Sequence, residues 1–134
     1  MVETPEVDRM PLTAKSTQSI MMIQGILTLL GGVSLLLFML GTQDDFELMG
    51  IGLPFISIVL ALLICWVAVK WSSRKARVWT VAVLLEGLLL ISFVATVIPD
   101  PEFSFGIWDG LSILLPVTAF CLVVLPTTRS WFNR

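Results

Sequence analysis

Four long apolar stretches run along this chain, at residues 20–40, 51–69, 78–98 and 107–125. Each is close to the ~20 apolar residues that a helix needs to cross ~30 Å of hydrocarbon. Because lipid offers no hydrogen-bond partners, the backbone groups of such stretches must be satisfied within a helix. The pattern therefore predicts an all-α membrane protein with four transmembrane helices.

The charged residues between these stretches are sorted by sign. All eight Lys and Arg residues lie in the two chain ends and in the turn between the second and third stretches: Arg9, Lys15, Lys70, Arg74, Lys75, Arg77, Arg129 and Arg134. The other two loops and their borders carry acids: Asp44, Asp45, Glu47, Asp100, Glu102 and Asp109. Since basic loops are retained in the cytoplasm, we predict an up-down-up-down bundle in the cell membrane with both termini cytoplasmic. The basic turn residues would then be cytoplasmic anchors.

Composition leaves room for one membrane domain. Of 134 residues, 57% are hydrophobic and 13% are charged, against about 25% charged in soluble domains. We divide the chain into a cytoplasmic tail at 1–18, a transmembrane domain at 19–126 and a cytoplasmic tail at 127–134. The first apolar stretch is longer than a signal-peptide core and lacks a small-residue cleavage site, so we expect a retained span. Trp71 and Trp131 border the stretches and suit the headgroup level.

A single acid, Glu86, interrupts the third stretch. It lies nine residues after Arg77, which places it roughly 13 Å deeper, near the bilayer midplane. A carboxylate there is costly, so it should be neutral or face a partner or water. Gln24 lies nine residues after Lys15 and is the expected partner at similar depth. This intramembrane polar pair is either a protonated acid hydrogen-bonded across helices, or it is functional, with Glu86 as a proton or cation relay or as a counter-ion for a cationic substrate.

Small residues at helical spacing predict close helix packing. A seam is formed by Ser57, Ala61 and Cys65 of the second stretch and by Thr28 and Gly32 of the first. Small side chains let helix backbones approach in lipid, which supplies no hydrophobic drive to association. Such a seam packs either within the bundle or against another membrane protein, and we favour internal packing.

Catalytic and metal chemistry find little support in the sequence. Histidine is absent, which removes haem axial histidines, zinc triads and the usual general base. Cys65 and Cys121 lack C-x-x-C spacing, and no phosphate loop, dinucleotide fingerprint or serine elbow occurs. The acidic loops match no known calcium-loop spacing, and no basic patch suits nucleic acid. We expect no enzymatic activity, no cofactor, no metal and no nucleic-acid partner.

Two runs carry a resemblance to a known group of proteins. They are KARVWTVAVLLEGLLL at residues 75–90 and LPTTRSWFNR at residues 125–134. They resemble small four-span integral membrane proteins common in actinobacteria, in which a basic turn with an aromatic residue precedes the third span. A Pro-Ser/Thr-Arg-x-Trp-Phe ending follows the fourth span in that group. The resemblance implies the four-span topology and no particular activity.

Two classes of function stay open at this point. We favour a non-enzymatic subunit, assembly factor or adaptor that packs against a larger membrane complex. The alternative is a small proton- or cation-coupled transporter or channel that uses Glu86 and works as a homodimer. It is similar in size and span number to the small multidrug-resistance transporters. Those carry their essential glutamate in the first span, where this chain has Gln24, and that departure counts against the analogy. The expected partners are the bilayer and either another membrane protein or a second copy.

Overall fold

Helices make up the part of the chain that the computed structural model describes, namely residues 9–42, 48–98, 104 and 106–133. No strand occurs within that part. The helices are α1 (Leu12–Gly41), α2 (Leu48–Lys70), α3 (Ala76–Val97), α4 (Ile107–Val124) and α5 (Pro126–Phe132), and a 3₁₀ turn (Trp71–Ser73) follows α2.

Three of these helices, α1, α2 and α3, are each long and apolar enough to cross a membrane. A fourth candidate span consists of α4 followed by α5, with a bend of 64° between them. Apolar helices of this length suit the hydrocarbon core because all their backbone hydrogen bonds are internal. The predicted all-α architecture is confirmed, with three to four candidate membrane spans.

Helix α1 begins well before the predicted first span. It starts at Leu12, directly after Pro11, whose carbonyl oxygen accepts a hydrogen bond from Lys15 N at 3.0 Å. Proline suits the start of a helix because its missing N–H has no helical partner there. Ala14 and Thr17 are fully buried. The second half of the predicted N-terminal tail is therefore helical and belongs to the bundle.

The buried core is concentrated at the end of the bundle where α1 begins and α2 ends. We call this the basic end, because the turn residues Lys70, Arg74, Lys75 and Arg77 lie there. Its core side chains are Ala14, Met21, Ile64, Val67, Ala68, Trp71, Val78, Ala82, Leu85, Ala119, Val123, Trp131 and Phe132. At the opposite end, large apolar side chains such as Phe38, Leu53 and Ile91 are exposed. We call this second end the open end.

The segment predicted as a C-terminal tail is a short helix packed against the basic end. The Phe132 ring meets the Trp71 ring edge-on, with centroids 4.8 Å apart and planes at 82°. The Arg74 guanidinium lies 4.0 Å from the centre of the Trp131 ring. Trp71, Trp131 and Phe132 are buried, so these aromatic side chains face protein and do not lie free at a headgroup boundary. Pro126 at the first position of α5 sets the bend, because proline cannot continue the hydrogen-bond ladder of α4.

Candidate functional site

The structure brings Gln24 of α1 and Glu86 of α3 into direct contact. Gln24 Nε2 donates a hydrogen bond to Glu86 Oε2 at 3.1 Å. Glu86 is 0% exposed and Gln24 is 4% exposed. A polar pair buried in this way resists separation because each member would lose its partner in apolar surroundings. The contact therefore ties the first and third long helices together.

Much of the hydrogen-bonding capacity of this pair is unused. Gln24 Oε1 and Glu86 Oε1 have no hydrogen-bond partner within the described part of the protein. A carbonyl oxygen accepts, and a carboxyl oxygen accepts when ionised or donates when protonated. A protonated Glu86 therefore complements the amide of Gln24, whereas an ionised Glu86 calls for a further donor.

The sequence offers Glu86 no basic side chain at its own depth. No Lys or Arg occurs between residues 16 and 69 or between residues 78 and 128. The charge of an ionised Glu86 would thus lack a counter-ion at its own level of the bundle, and an uncompensated charge in an apolar medium is costly. In the absence of a cationic ligand, the neutral acid is the form that this environment favours.

A cavity of about 580 Å³ lies beside the pair, between the four long helices. Gln24 lines it, and each long helix contributes one hydroxyl side chain: Thr28 from α1, Ser57 from α2, Ser92 from α3 and Ser112 from α4. Its apolar lining includes Leu27, Leu35, Leu89, Phe93, Leu111 and Leu115. The volume lies within the ~300–1,000 Å³ range of small-molecule sites.

Ser112 and the convergence of the four hydroxyls were missed from the sequence. Isolated Ser and Thr residues are common in membrane helices, because they hydrogen-bond to the preceding turn of their own helix. Ser57 does so here, donating to Leu53 O at 3.0 Å. The sequence does show that every apolar stretch carries a Ser or Thr residue. Which way each of these side chains faces is known only from the packed structure.

The predicted seam is divided between packing and the cavity. A Cβ on Gly25 would lie 2.6 Å from Cys65 Sγ and 3.4 Å from Ala61 O. A Cβ on Gly32 would lie 3.0 Å from Ile58 Cγ1. Glycine therefore lets α1 approach α2 closely at both levels. Within the predicted seam, Ala61 and Cys65 take part in this packing, Ser57 and Thr28 line the cavity, and Gly32 does both.

The predicted basic anchors lie together at the basic end but differ in their surroundings. Lys70, Lys75 and Arg77 are exposed. Arg74, by contrast, adopts a left-handed backbone conformation with φ of 54° and places its guanidinium over Trp131. Stacking of a cation on an indole face stabilises the turn against α5.

The acidic loops fall largely outside the described residues, which exclude Asp44, Asp45, Glu47, Asp100 and Glu102. Asp109 is described, and its Oδ2 accepts a hydrogen bond from Gly106 N at 2.9 Å. This is the contact of a side chain that caps the start of α4. Among the described residues, no three His, Cys, Asp or Glu side chains group closely enough to hold a metal ion.

Comparison of the chain with known protein families, with characterised proteins and with solved structures finds no match. The resemblance to small actinobacterial membrane proteins therefore stays a prediction. The chemistry of the site rests on the buried pair and the cavity beside it.

Proposed function

We propose that this chain is a four-span protein of the cell membrane whose helices alternate in direction, with both termini in the cytoplasm. The sorting of Lys and Arg to one set of loops supports this orientation. Contacts at the basic end support it further. The hydroxyls of Thr13 and Thr127 lie 3.1 Å apart, so the two ends of the described chain meet at the same end of the bundle as Trp71.

Within the membrane, we propose a non-enzymatic role as a subunit, assembly factor or adaptor of a larger membrane complex. The observation that carries this proposal is how little of each span is buried. The most apolar windows of α1, α2 and α3 are 17%, 28% and 22% buried. These helices therefore present spare apolar surface that a partner can cover as well as lipid.

That spare surface is greatest at the open end. Phe38, Leu53 and Ile91 are each about two-thirds exposed there, at 68%, 67% and 69%. The core side chains, by contrast, cluster at the basic end. A partner that packs along the open end would complete the bundle without disturbing its folded core.

Gentle extraction from native membranes, followed by mass spectrometry of the proteins that accompany the tagged chain, tests this role. We expect a stoichiometric membrane protein, cross-linked through a photoreactive residue at Ile91 and not through one at Ser73. Ser73 is an exposed position at the basic end and serves as the control. Recovery of the monomeric chain alone, without cross-links at either position, would contradict the proposal.

A second candidate, a proton- or cation-coupled transporter working as a homodimer, is favoured by a different observation. A buried acid, Glu86, lies behind Gln24, which lines a cavity with hydroxyl groups from all four long helices. Intramembrane acids beside polar cavities are typical of ion and proton pathways. Liposome flux assays test it: Glu86→Gln should abolish coupled flux and leave the fold intact, whereas unchanged flux would exclude Glu86 as the relay.

A further inference from the structure

Helices α2 and α3 each have an exposed apolar face that ends in a cation at the basic end. The exposed residues are Leu62, Trp66 and Lys70 on α2, and Arg77, Leu84 and Leu88 on α3. Because they are four or seven positions apart, each set lies on one side of its helix. We propose that these two outward faces bind anionic phospholipids, with the phosphate at the cation and the acyl chains along the apolar side chains.

The order of side chains along each face matches the order of groups in a phospholipid. Lys70 is the last residue of α2 and Arg77 is the second residue of α3, so both cations lie where the candidate spans end. Trp66 lies one turn from Lys70, at the level that indole rings favour below the headgroups. Leu62 and Leu84 follow roughly 10–12 Å from the cations, at the depth of acyl chains.

Within the part of the chain that the structure describes, no acidic residue lies beside these cations. Its two acids are Glu86, which is buried, and Asp109, which caps the start of α4 at the other end of the bundle. A basic cluster without acids attracts the anionic lipids of the cytoplasmic leaflet. Each Lys or Arg near the surface contributes about a fivefold preference.

Helix stability does not account for the position of Arg77. It lies in the first turn of α3, where the partial positive charge of the helix disfavours a cation, and that turn contains no acid. An anion bound beside Arg77 would offset this repulsion. A phosphate from outside can reach the guanidinium, because Arg77 is exposed.

The apolar part of each face selects a lipid over a soluble anion. A free phosphate would gain the cation alone, whereas a phospholipid also covers exposed side chains such as Leu62 and Leu84. Charge and apolar area on one face therefore favour an amphiphile with a negative head. The inference rests on the proposed membrane-spanning arrangement and does not require the adaptor role.

The test measures lipid binding to the purified full-length chain in a neutral detergent, by mass spectrometry of the intact protein–lipid complexes. The probe is dioleoylphosphatidylglycerol, compared with dioleoylphosphatidylcholine, which has the same chains and no net charge. We expect the first two molecules of phosphatidylglycerol to bind about fivefold more tightly than phosphatidylcholine. Inorganic phosphate, which lacks acyl chains, should not displace them.

Two pairs of substitutions separate a site from general charge attraction. Lys70→Gln with Arg77→Gln should lower the affinity for phosphatidylglycerol about fivefold, to the level of phosphatidylcholine. Arg9→Gln with Lys75→Gln is the matched control. It also removes two exposed cations at the basic end, but neither residue belongs to a helix and neither continues an apolar face. The control pair should change the affinity less than twofold.

Equal binding of the two phospholipids to the unmodified chain would overturn the proposal, as would equal losses in the two pairs of substitutions. If the Lys70→Gln and Arg77→Gln pair does not fold, the two single variants decide. Arg77→Lys should keep the preference, because it keeps the charge at the end of the face.

Two other occupants of the basic end are distinguishable outcomes. Glu3, Glu6 and Asp8 lie outside the described residues. Phosphatidylglycerol binding that appears only after their neutralisation to Gln, Gln and Asn would mean that the chain's own acids occupy the cations. A stoichiometric protein cross-linked through Ser73 would mean that an acidic protein covers them. Either result contradicts the lipid site, whereas failure to find any larger complex leaves it standing.

Discussion

Gln24 Nε2 donates a hydrogen bond to Glu86 Oε2 at 3.1 Å, and this contact joins α1 to α3 where neither side chain is exposed. The two residues are 62 positions apart in the chain. Their contact therefore depends on the packing of whole helices and not on a local turn.

If the pair stabilises the fold, Glu86→Gln should change stability little, because an amide still hydrogen-bonds to Gln24. Glu86→Leu should destabilise the protein by leaving the amide of Gln24 without a partner. In a double-mutant cycle, Gln24→Leu and Glu86→Leu should show a coupling of about 0.6–2 kcal/mol. Thermal unfolding in mild detergent measures this, and additive effects of the two substitutions would show that the hydrogen bond contributes nothing.

The close approach of α1 to α2 at Gly25 makes a second prediction. Gly25→Ala places a Cβ 2.6 Å from Cys65 Sγ and should destabilise the protein by about 1–3 kcal/mol through overpacking. Removing the sulfur with Cys65→Ala should recover part of that loss. Gly31→Ala is the control, since its Cβ meets no described atom within 4 Å. A Gly25→Ala protein as stable as Gly31→Ala would refute the tight contact.

The docking of α5 makes a third prediction. Trp71→Ala removes a fully buried ring that packs edge-on against Phe132 and should cost about 3–5 kcal/mol. It should also increase proteolysis of the C-terminal segment, because α5 loses its packing surface. Trp66→Ala is the matched control: Trp66 is 50% exposed on the outside of α2, and its loss should have little effect. Equal effects of the two substitutions would contradict the assigned packing.

Much of the architecture could be predicted because lipid imposes strong rules on sequence. Long apolar stretches must be helical, so α2, α3 and α4 lie close to the predicted spans. The Gln24–Glu86 pair followed from spacing, since each residue lies nine positions from a basic residue that marks the boundary. The depth of a residue in the membrane can be found by counting residues from that boundary. Two polar groups at the same depth in lipid have few partners other than each other.

Other features could not be predicted because they depend on which way a side chain faces. The start of α1 at Leu12 was missed because Thr13, Lys15 and Gln18 make its first turns too polar to read as a span. These turns are nevertheless held by packing and by Gln18 Nε2, which donates to Ala68 O at 2.9 Å. The seven residues of α5 are likewise too few for a periodic signal, so the burial of Thr128, Trp131 and Phe132 was not foreseen.

The four-span orientation is the claim on which the other proposals depend, and cysteine labelling tests it most directly. In a background with Cys65 and Cys121 replaced by alanine, single cysteines are placed at Asp45 and at Lys75. The account predicts that Asp45→Cys reacts with a membrane-impermeant maleimide in intact cells, and that Lys75→Cys reacts only after permeabilisation. Labelling of both positions on the same side, or of Asp45→Cys only after permeabilisation, would contradict the account.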